Sequence, residues 1–152
     1  RQVTGMEYEV MGELEYYVVT EVESYFDIPD QRGYHESMPF CKGQELRELA
    51  MKYIASTGGL IKYGHSEVGN FTKGDLMYEQ NEIEFLPTKM EDAADQLIIA
   101  KWILRTLAYQ FGVDLTFAPK ITVGKAGSGL HIHTRLKKGD KNNISIQIHF
   151  IV

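Results

Sequence analysis

Residues 8–20 alternate between two kinds of side chain with a period of two, which is the period of a β-strand. One face of the predicted strand carries Gly12, Leu14, Tyr16 and Val18. The opposite face carries Met11, Glu13, Glu15 and Tyr17. Because residues two apart on a strand point to the same side, Glu13 and Glu15 are predicted to present two carboxylates together, with Leu14 anchored behind them.

Two helices are predicted along the chain. The first spans 43–56, where apolar residues follow the 3.6-residue period. The second begins at the capping box Thr88-Lys-Met-Glu91, and its apolar residues recur at helical spacing as far as Gly112. Trp102 lies in the middle of this second helix and is expected to pack against the rest of the protein.

Further strands are predicted around these helices, at 60–68, 77–86, 114–118 and from Leu130 onward. The joining segments are an irregular connection at 25–42, a turn at Gly69–Asp75 and a glycine-rich loop at 119–129. The order β-α-β-β-α-β-β predicts an α+β fold, with a largely antiparallel sheet and two packed helices.

Acidic or imidazole side chains recur at positions i and i+2 in the other predicted strands. The pairs are His65 with Glu67, Glu82 with Glu84, and His131 with His133. Carboxylates gathered in one place repel one another and are costly to bury, so a cation is needed to neutralise them. Oxygen ligands with an occasional imidazole favour Mg²⁺ or Mn²⁺ over Zn²⁺. Two such ions would hold phosphate oxygens during transfer from ATP.

The same residues have a second interpretation. A Glu-x-Glu pair on a strand is more often the wet face of a half-exposed sheet than a metal site. His131 and His133, taken alone, are more typical of solvated or hydrogen-bonded imidazoles. The repetition over four strands favours the metal site, but spacing alone leaves both interpretations open. The glycine-rich run Gly124–Gly129 also has two interpretations: it is either a tight turn or a backbone anion site beside His131.

The charge balance argues against nucleic acid as the main partner. The net charge is −5 at pH 7, whereas phosphate backbones require clustered Lys and Arg. The basic run at 135–141 contains Asp140 and is typical of a solvated hairpin tip. No apolar run approaches the roughly 20 residues that span a bilayer, which predicts no membrane partner. The single cysteine, Cys41, fits a reducing cytoplasm.

Taken in order, these segments resemble the catalytic domain of type I glutamine synthetase over residues 8 to about 142. The matching motifs are Gly12-Glu-Leu-Glu-Tyr-Tyr17, Tyr25-Phe-Asp27, Gly64-His-Ser-Glu-Val68, Gln80-Asn-Glu82, Phe117-Ala-Pro-Lys120 and Gly127-Ser-Gly-Leu-His-Ile-His133. The resemblance implies a sheet that forms part of the family's catalytic barrel. It also implies an enzyme in which ATP phosphorylates the side-chain carboxylate of glutamate and ammonia then displaces the phosphate.

The resemblance implies a role for each matching acidic residue. Glu15, Glu67 and Glu82 would bind the metal ion that orients glutamate. Glu13 and His131 would bind a second metal ion, on the nucleotide phosphates. Glu15, Glu67 and His131 would in addition contact the substrates.

The remaining implied roles concern substrates and catalysis. Gly127 would help to hold glutamate, and Tyr25 would line the ammonium pocket beside Glu67. Tyr25 and Glu67 are therefore the implied catalytic residues. His133 and Arg135 would lie at the ATP site. In the intact family enzyme the subunits self-associate into rings.

Several positions depart from the family pattern. The spacing from Glu67 to Glu82 is longer than usual, so Gly69–Asp75 is predicted to be an inserted loop. Ala126 stands where Asn is common, and Arg135 replaces a small hydroxyl residue. These changes indicate a divergent branch or a relaxed choice of substrate.

The resemblance also predicts an incomplete enzyme. The family's N-terminal domain and its downstream arginines have no counterpart in the sequence, and residues 143–152 do not resemble the corresponding segment of the family. We therefore expect a partial catalytic domain at 1–142 with an atypical tail at 143–152, and no turnover by the isolated chain. Three functions remain open: a glutamate–ammonia ligase fragment, a ligase that joins glutamate to a polyamine-type amine, and a non-catalytic protein that retains the fold.

Overall fold

A computed structural model describes residues 5–23 and 25–139 in full and the backbone of 141–150. Within this part of the chain there are seven strands and two helices. In chain order they are β1 (Glu7–Glu21), α1 (Gln44–Ser56), β2 (Ile61–Lys73), β3 (Leu76–Phe85), β4 (Thr88–Lys89), α2 (Met90–Phe111), β5 (Asp114–Thr116), β6 (Leu130–Lys138) and β7 (Lys141–Phe150).

The strands form one antiparallel sheet in the order β2-β3-β1-β6-β7. The long strand β1 is its centre, because β6 pairs with its first half and β3 with its second half. The short strands β4 and β5 also pair with β1. This arrangement confirms the predicted α+β fold with an antiparallel sheet and two packed helices.

The hydrophobic core lies between one face of the sheet and both helices. Leu14, Tyr16 and Val18 of β1 are at most 2% exposed and pack in a cluster with side chains of α1 and α2. Leu104 at the centre of α2 is fully buried in the same cluster. The apolar face predicted for residues 8–20 is therefore the face that the helices cover.

The two helices are found where the apolar period predicts them, but the start of α2 differs. Thr88 does not cap the helix: it pairs with Val10 of β1, and the residue before the helix, Lys89, makes no side-chain capping hydrogen bond. The predicted capping box is therefore wrong, because Thr88 belongs to strand β4 and is paired in the sheet. At the other end Gly112 adopts the left-handed conformation (φ 68°) and terminates α2, as predicted.

The predicted loop at Gly69–Asp75 is also wrong. Strand β2 continues to Lys73, and the hairpin turns at Gly74 and Asp75. Part of the long spacing from Glu67 to Glu82 is taken up by an irregularity between Ser66 and Asn70, where more residues of β2 than of β3 lie between the paired positions. Sequence composition indicated a turn, but pairing with β3 holds most of this segment in the sheet.

The connection at 25–42 is irregular, as predicted, and it covers part of the sheet edge. The backbone N–H groups of Gln31, Gly33 and His35 donate to the carbonyls of Asn70, Val68 and Ser66 of β2. This connection therefore protects β2 at the position where the acidic residues lie.

Two further expectations concern the surface and the last hairpin. Trp102 was expected to pack, yet it is 66% exposed on α2.

Strands β6 and β7 pair antiparallel with Lys138 opposite Lys141, which confirms the hairpin tip predicted from the basic run. Asp140 lies outside the described residues. The tail at 143–150 forms part of β7, and 151–152 lie outside the described residues. Neither described helix has the length and apolarity to cross a bilayer.

Candidate active site

The face of the sheet opposite the helices brings the predicted acidic and imidazole residues together. Across β1 and β3, Glu15 stands opposite Glu82. Across β1 and β6, Glu13 stands opposite His131, and across β2 and β3, His65 stands opposite Glu82. The i, i+2 pairs recognised in four separate strands therefore lie side by side in one sheet.

The first group of potential ligand atoms comes from three strands. One ligand atom each from Glu13, Glu82 and His131 lies within 4.8 Å of the others. His131 Nδ1 is 3.1 Å from Glu13 Oε2. Glu82 is 5% exposed, so this group combines a buried carboxylate with two partly accessible residues.

A second group shares a residue with the first. Ligand atoms of His65, Glu67 and Glu82 also lie within 4.8 Å of one another. His65 Nε2 is 3.1 Å from Glu82 Oε2, and His65 Nδ1 is 3.7 Å from Glu67 Oε1. Because Glu82 belongs to both groups, the two form one continuous cluster.

Glu15 adjoins this cluster, and hydrogen bonds from the protein fix one of its carboxylate oxygens. Its Oε2 accepts hydrogen bonds from Gln80 Nε2 at 2.6 Å and from the backbone N–H of Gly129 at 2.9 Å. Its Oε1 lies 3.7 Å from His131 Nδ1. One carboxylate oxygen is thus fixed by the fold while the other faces the first group.

The glycine-rich loop is attached to the site by Gln80 and Tyr17, which lie in the matching motifs but had no role predicted from the sequence. Gln80, which is 2% exposed, donates to the carbonyl of Gly127 at 2.9 Å as well as to Glu15. Tyr17 Oη donates to the carbonyl of Ala126 at 2.8 Å. A side chain at Gly69 is excluded here, because a Cβ would lie 2.0 Å from Tyr17 Oη. The loop and the carboxylates therefore form one bonded unit.

Burial, with a smaller contribution from repulsion between carboxylates, raises the pKa of two acids in the cluster. Burial raises the pKa of Glu15, and repulsion from Glu82 raises it further. Burial likewise raises the pKa of Glu67, again with a contribution from Glu82. The hydrogen bond to Glu82 raises the pKa of His65 to about 9. Relative to free side chains, the fold thus shifts both acids toward the protonated form and His65 toward the charged form.

Glu84 is oriented differently from the other acids. Lys62 Nζ lies 2.6 Å from its Oε2, and its Oε1 is 3.8 Å from His65 Nε2. Burial acts to raise the pKa of Glu84, but hydrogen bonds from Lys62 and Tyr63 lower it below the ordinary value. Glu84 therefore already has its own cation, which separates it from the shared cluster.

The residues predicted at the substrate sites occupy several positions around the cluster. His133 Nε2 is 2.8 Å from Glu13 Oε1, whereas Arg135 Nε donates to Glu9 at 2.6 Å. Gly127 and His131 line a cavity of about 320 Å³ together with Glu15, Pro119, Lys120, Ser128 and Gly129. Tyr25 lies in the connection between β1 and α1, where its side chain is 76% exposed and its carbonyl accepts from Lys42.

His65 is the potential ligand that the predicted ligand set omitted. Its ring stacks on those of His35 and Tyr63, with centroids 4.6 and 5.4 Å apart, and Tyr34 contacts it edge-on at 5.5 Å. The signal was present in the sequence, since His65 and Glu67 share the i, i+2 spacing. The aromatic contacts from 34–35 depend on the irregular connection and had no local signature.

Comparison with known proteins identifies similar sequences. Residues 2–147 match the family model described as the catalytic domain of glutamine synthetase. The chain is 30% identical over 132 residues to the glutamine synthetase of Pyrococcus furiosus, covering 82% of this chain and 28% of that protein. It is 32% identical over 113 residues to that of Thermus thermophilus, covering 74% and 24%. The chain thus spans less than a third of the length of these curated relatives.

Solved structures show a similar fold at lower sequence identity. A cryo-EM structure of Plasmodium falciparum glutamine synthetase aligns with a TM-score of 0.77 and 20% identity, covering 91% of this chain and 32% of that one. A crystal structure titled as a novel glutamine synthase homolog aligns with a TM-score of 0.70 and 18% identity, covering 91% and 30%. At these identities the likeness concerns the fold.

Proposed function

Because this chain belongs to the glutamine synthetase catalytic-domain family, a family of ligases, we propose that it provides the cation-binding half of a glutamate–ammonia ligase active site. The observation that carries the proposal is the pair of ligand groups that share Glu82. Two groups built on one bridging carboxylate suit two neighbouring cations better than a wet sheet face does.

The donor set fits a hard divalent cation such as Mg²⁺ or Mn²⁺. Carboxylate oxygens of Glu13, Glu67 and Glu82 converge with the imidazoles of His65 and His131, and hard cations prefer mainly oxygen ligands. The raised pKa values of Glu15 and Glu67 fit as well, because burial makes their ionised forms costly and a bound cation would offset that cost. We propose Glu13, Glu15, Glu67, Glu82 and His131 as ligands, with His65 added to them.

When bound, such ions would neutralise phosphate oxygens of ATP and help to align the transfer. The protein's own contribution is positioning. Gln80 and Gly129 hold one oxygen of Glu15, so its other oxygen keeps a fixed direction toward His131. Rigid placement of this kind supplies much of the rate enhancement in phosphoryl transfer, because the reacting groups need not be reordered.

The substrate sites are proposed around this core. The cavity beside Gly127 and His131 would receive glutamate, and His133 with Arg135 would contact ATP. Tyr25, which is 76% exposed on the connection between β1 and α1, would line the ammonium pocket beside Glu67.

A second candidate is a ligase that joins glutamate to an organic amine. Tyr34 and Tyr63, which are 59% and 41% exposed, flank His65 next to Glu67 and Glu82. Exposed aromatic faces beside carboxylates suit an alkylammonium group, through cation–π contact and charge. Comparing ammonium with small aliphatic amines as the acceptor, in the presence of ATP and glutamate, distinguishes the two candidates.

Three further predictions remain part of this proposal. Residues 1–142 would be a partial catalytic domain followed by a divergent tail at 143–152, although the family match runs slightly further, to 147. The intact protein would assemble into rings in the cytoplasm. The isolated chain would bind cations without completing the reaction.

Binding of Mn²⁺, measured by isothermal titration calorimetry, tests the proposal. We expect saturable binding to the natural chain and at least roughly tenfold weaker binding after Glu67→Gln, because one charged ligand is lost. The matched control is Glu45→Gln on the exposed surface of α1, which should bind as the natural chain does.

Equal Mn²⁺ binding by the natural chain and by Glu67→Gln would contradict a catalytic metal site and favour the non-catalytic alternative. Release of phosphate from ATP that requires both glutamate and ammonium would establish the ligase reaction itself. Binding of Mn²⁺ without such release, in a chain that covers the whole family domain, would limit the function to metal binding.

A further inference from the structure

Helix α2 has two apolar faces, and the described residues cover only one of them. The inner face carries Ala100, Leu104 and Leu107, which are at most 2% exposed against the sheet and α1. The outer face carries Ile98, Trp102 and Tyr109, whose exposed fractions are 69%, 66% and 85%. Isolated exposed apolar residues are ordinary, but three large ones on the same face of one helix are a candidate contact surface.

The outer residues follow the spacing of a helix–helix seam. Ile98, Trp102, Arg105 and Tyr109 are separated by four, three and four positions, so they lie within one narrow stripe of the helix. Arg105 is exposed in this stripe, and its guanidinium stands 4.9 Å over the ring of Phe117. The stripe therefore has the pattern of a coiled-coil contact with one basic position.

The charges on this face are arranged so that the face complements itself. Glu91 and Asp95 are exposed toward the N-terminal end of the stripe, and Arg105 is exposed toward its C-terminal end. If a second α2 lies antiparallel and is centred on Ala100, simple counting places Asp95 opposite Arg105 of the other copy. The same register places Ile98 opposite Trp102.

We propose that this outer face of α2 binds a second copy of the chain as an antiparallel, two-fold symmetric helix pair. A two-fold contact must use one patch that is complementary to itself, and this patch has acidic, apolar and basic parts in the required order. A partner of uniform charge would match only one end. The contact lies on the helix side of the sheet, so it leaves the acidic cluster on the other side accessible.

The single tryptophan makes the association directly measurable. Trp102 is the only tryptophan in the chain, so its fluorescence reports on this face alone. We expect its emission to shift to shorter wavelength as the protein concentration rises, together with a rise in sedimentation coefficient from monomer to dimer. Because one helix face is a small interface, the transition should fall in the micromolar range, at roughly 1–100 μM.

Charge reversal provides the decisive comparison. Asp95→Arg and Arg105→Glu should each weaken self-association about tenfold or more, because each sets like charges opposite one another twice. A one-to-one mixture of the two variants should associate as tightly as the natural chain, since both contacts are again of opposite charge. A folding defect cannot produce this recovery. The matched control, Glu45→Arg mixed with Lys52→Glu on exposed positions of α1, should leave association unchanged.

Three results would overturn the proposal. The first is a sedimentation coefficient and a Trp102 emission that stay constant up to roughly 200 μM. The second is self-association that persists in both single variants, or a mixture that associates no better than they do. The third is a blue-shifted Trp102 emission independent of concentration in a longer natural form of the chain, which would mean that another part of the same polypeptide covers this face.

Discussion

The two faces of β1 are built from alternate residues of one strand, yet they carry opposite kinds of chemistry. Leu14, Tyr16 and Val18 face the helices and are almost fully buried in the hydrophobic core. Glu13 and Glu15 face the other way, toward His131 and the remaining carboxylates. A distance of one residue along the chain therefore separates the core of the fold from its candidate site.

The difference between the faces shows where stability and function reside. Burial of the apolar face removes hydrocarbon from water and stabilises the fold. On the charged face, burial raises the pKa of Glu15 and Glu67, which means that holding these carboxylates ionised costs stability. The first face supports the second, because packing against the helices stabilises the strand that carries the acids.

The largest effect is expected from a cavity in the apolar face. Leu104→Ala removes a fully buried side chain from the centre of the core, so we expect the free energy of unfolding to fall by about 2–5 kcal/mol. Leu86→Ala, at a position that is 43% exposed, should cost about 1 kcal/mol or less. Urea unfolding of both variants gives the comparison, and equal losses would mean that the helix-covered face is not the core.

The second effect concerns His65 on the charged face. Its folded-state pKa is raised to about 9 from 6.5, mainly by the hydrogen bond to Glu82. A raised histidine pKa contributes stability that is fully present below pH 6.5 and is lost as the pH rises through about 9. Without divalent cations, the natural chain should therefore lose about 3 kcal/mol across this window.

The variant His65→Gln should lack this loss, because it has no group that titrates at that position. His35→Gln is the matched control: His35 stacks on the His65 ring but is itself exposed, so the loss should persist. Chemical unfolding in EDTA at three pH values between 6 and 10 provides the measurement. If the free energy of unfolding falls equally with pH in the natural chain and in His65→Gln, the histidine does not neutralise the cluster.

The sequence predicts the two faces of β1 well, because alternation is a local property of the strand. It also places both helices, since their apolar period is local too. It does not predict how the faces meet across strands. The placement of Glu82 opposite His65 on one side and opposite Glu15 on the other depends on register. The register between β2 and β3 depends on an irregularity in β2 and on the position of the hairpin turn. The sequence predicted a loop over Gly69–Asp75, whereas the chain turns only at Gly74 and Asp75.

The supporting residues were missed for the same reason. Gln80 and Tyr17 reach the glycine-rich loop over separations of 47 and 109 positions in the chain, and no local pattern carries such contacts. Trp102 was misjudged for a different reason. A helical period shows that one face is apolar, but it does not show that only one face will be covered.

The smallest effect is expected from Glu15, and it has the opposite sign to the other two. Its folded-state pKa is raised above 4.5, so the cost of ionising it is fully present above that raised value and absent below 4.5. Glu15→Gln keeps an oxygen that can accept from Gln80 and Gly129 while removing the charge. In EDTA at about pH 8 we expect the variant to be more stable than the natural chain, by less than the two effects above.

The advantage of Glu15→Gln should disappear when the acid is protonated, and it should reverse when Mn²⁺ is added, because the cation then stabilises only the charged form. Thermal unfolding at about pH 8 and at about pH 4, with and without Mn²⁺, separates these cases. A variant less stable than the natural chain in EDTA would mean that the hydrogen bonds to Glu15 outweigh its repulsion. The charged face would then stabilise the fold as the apolar face does, and the contrast between the two faces would be lost.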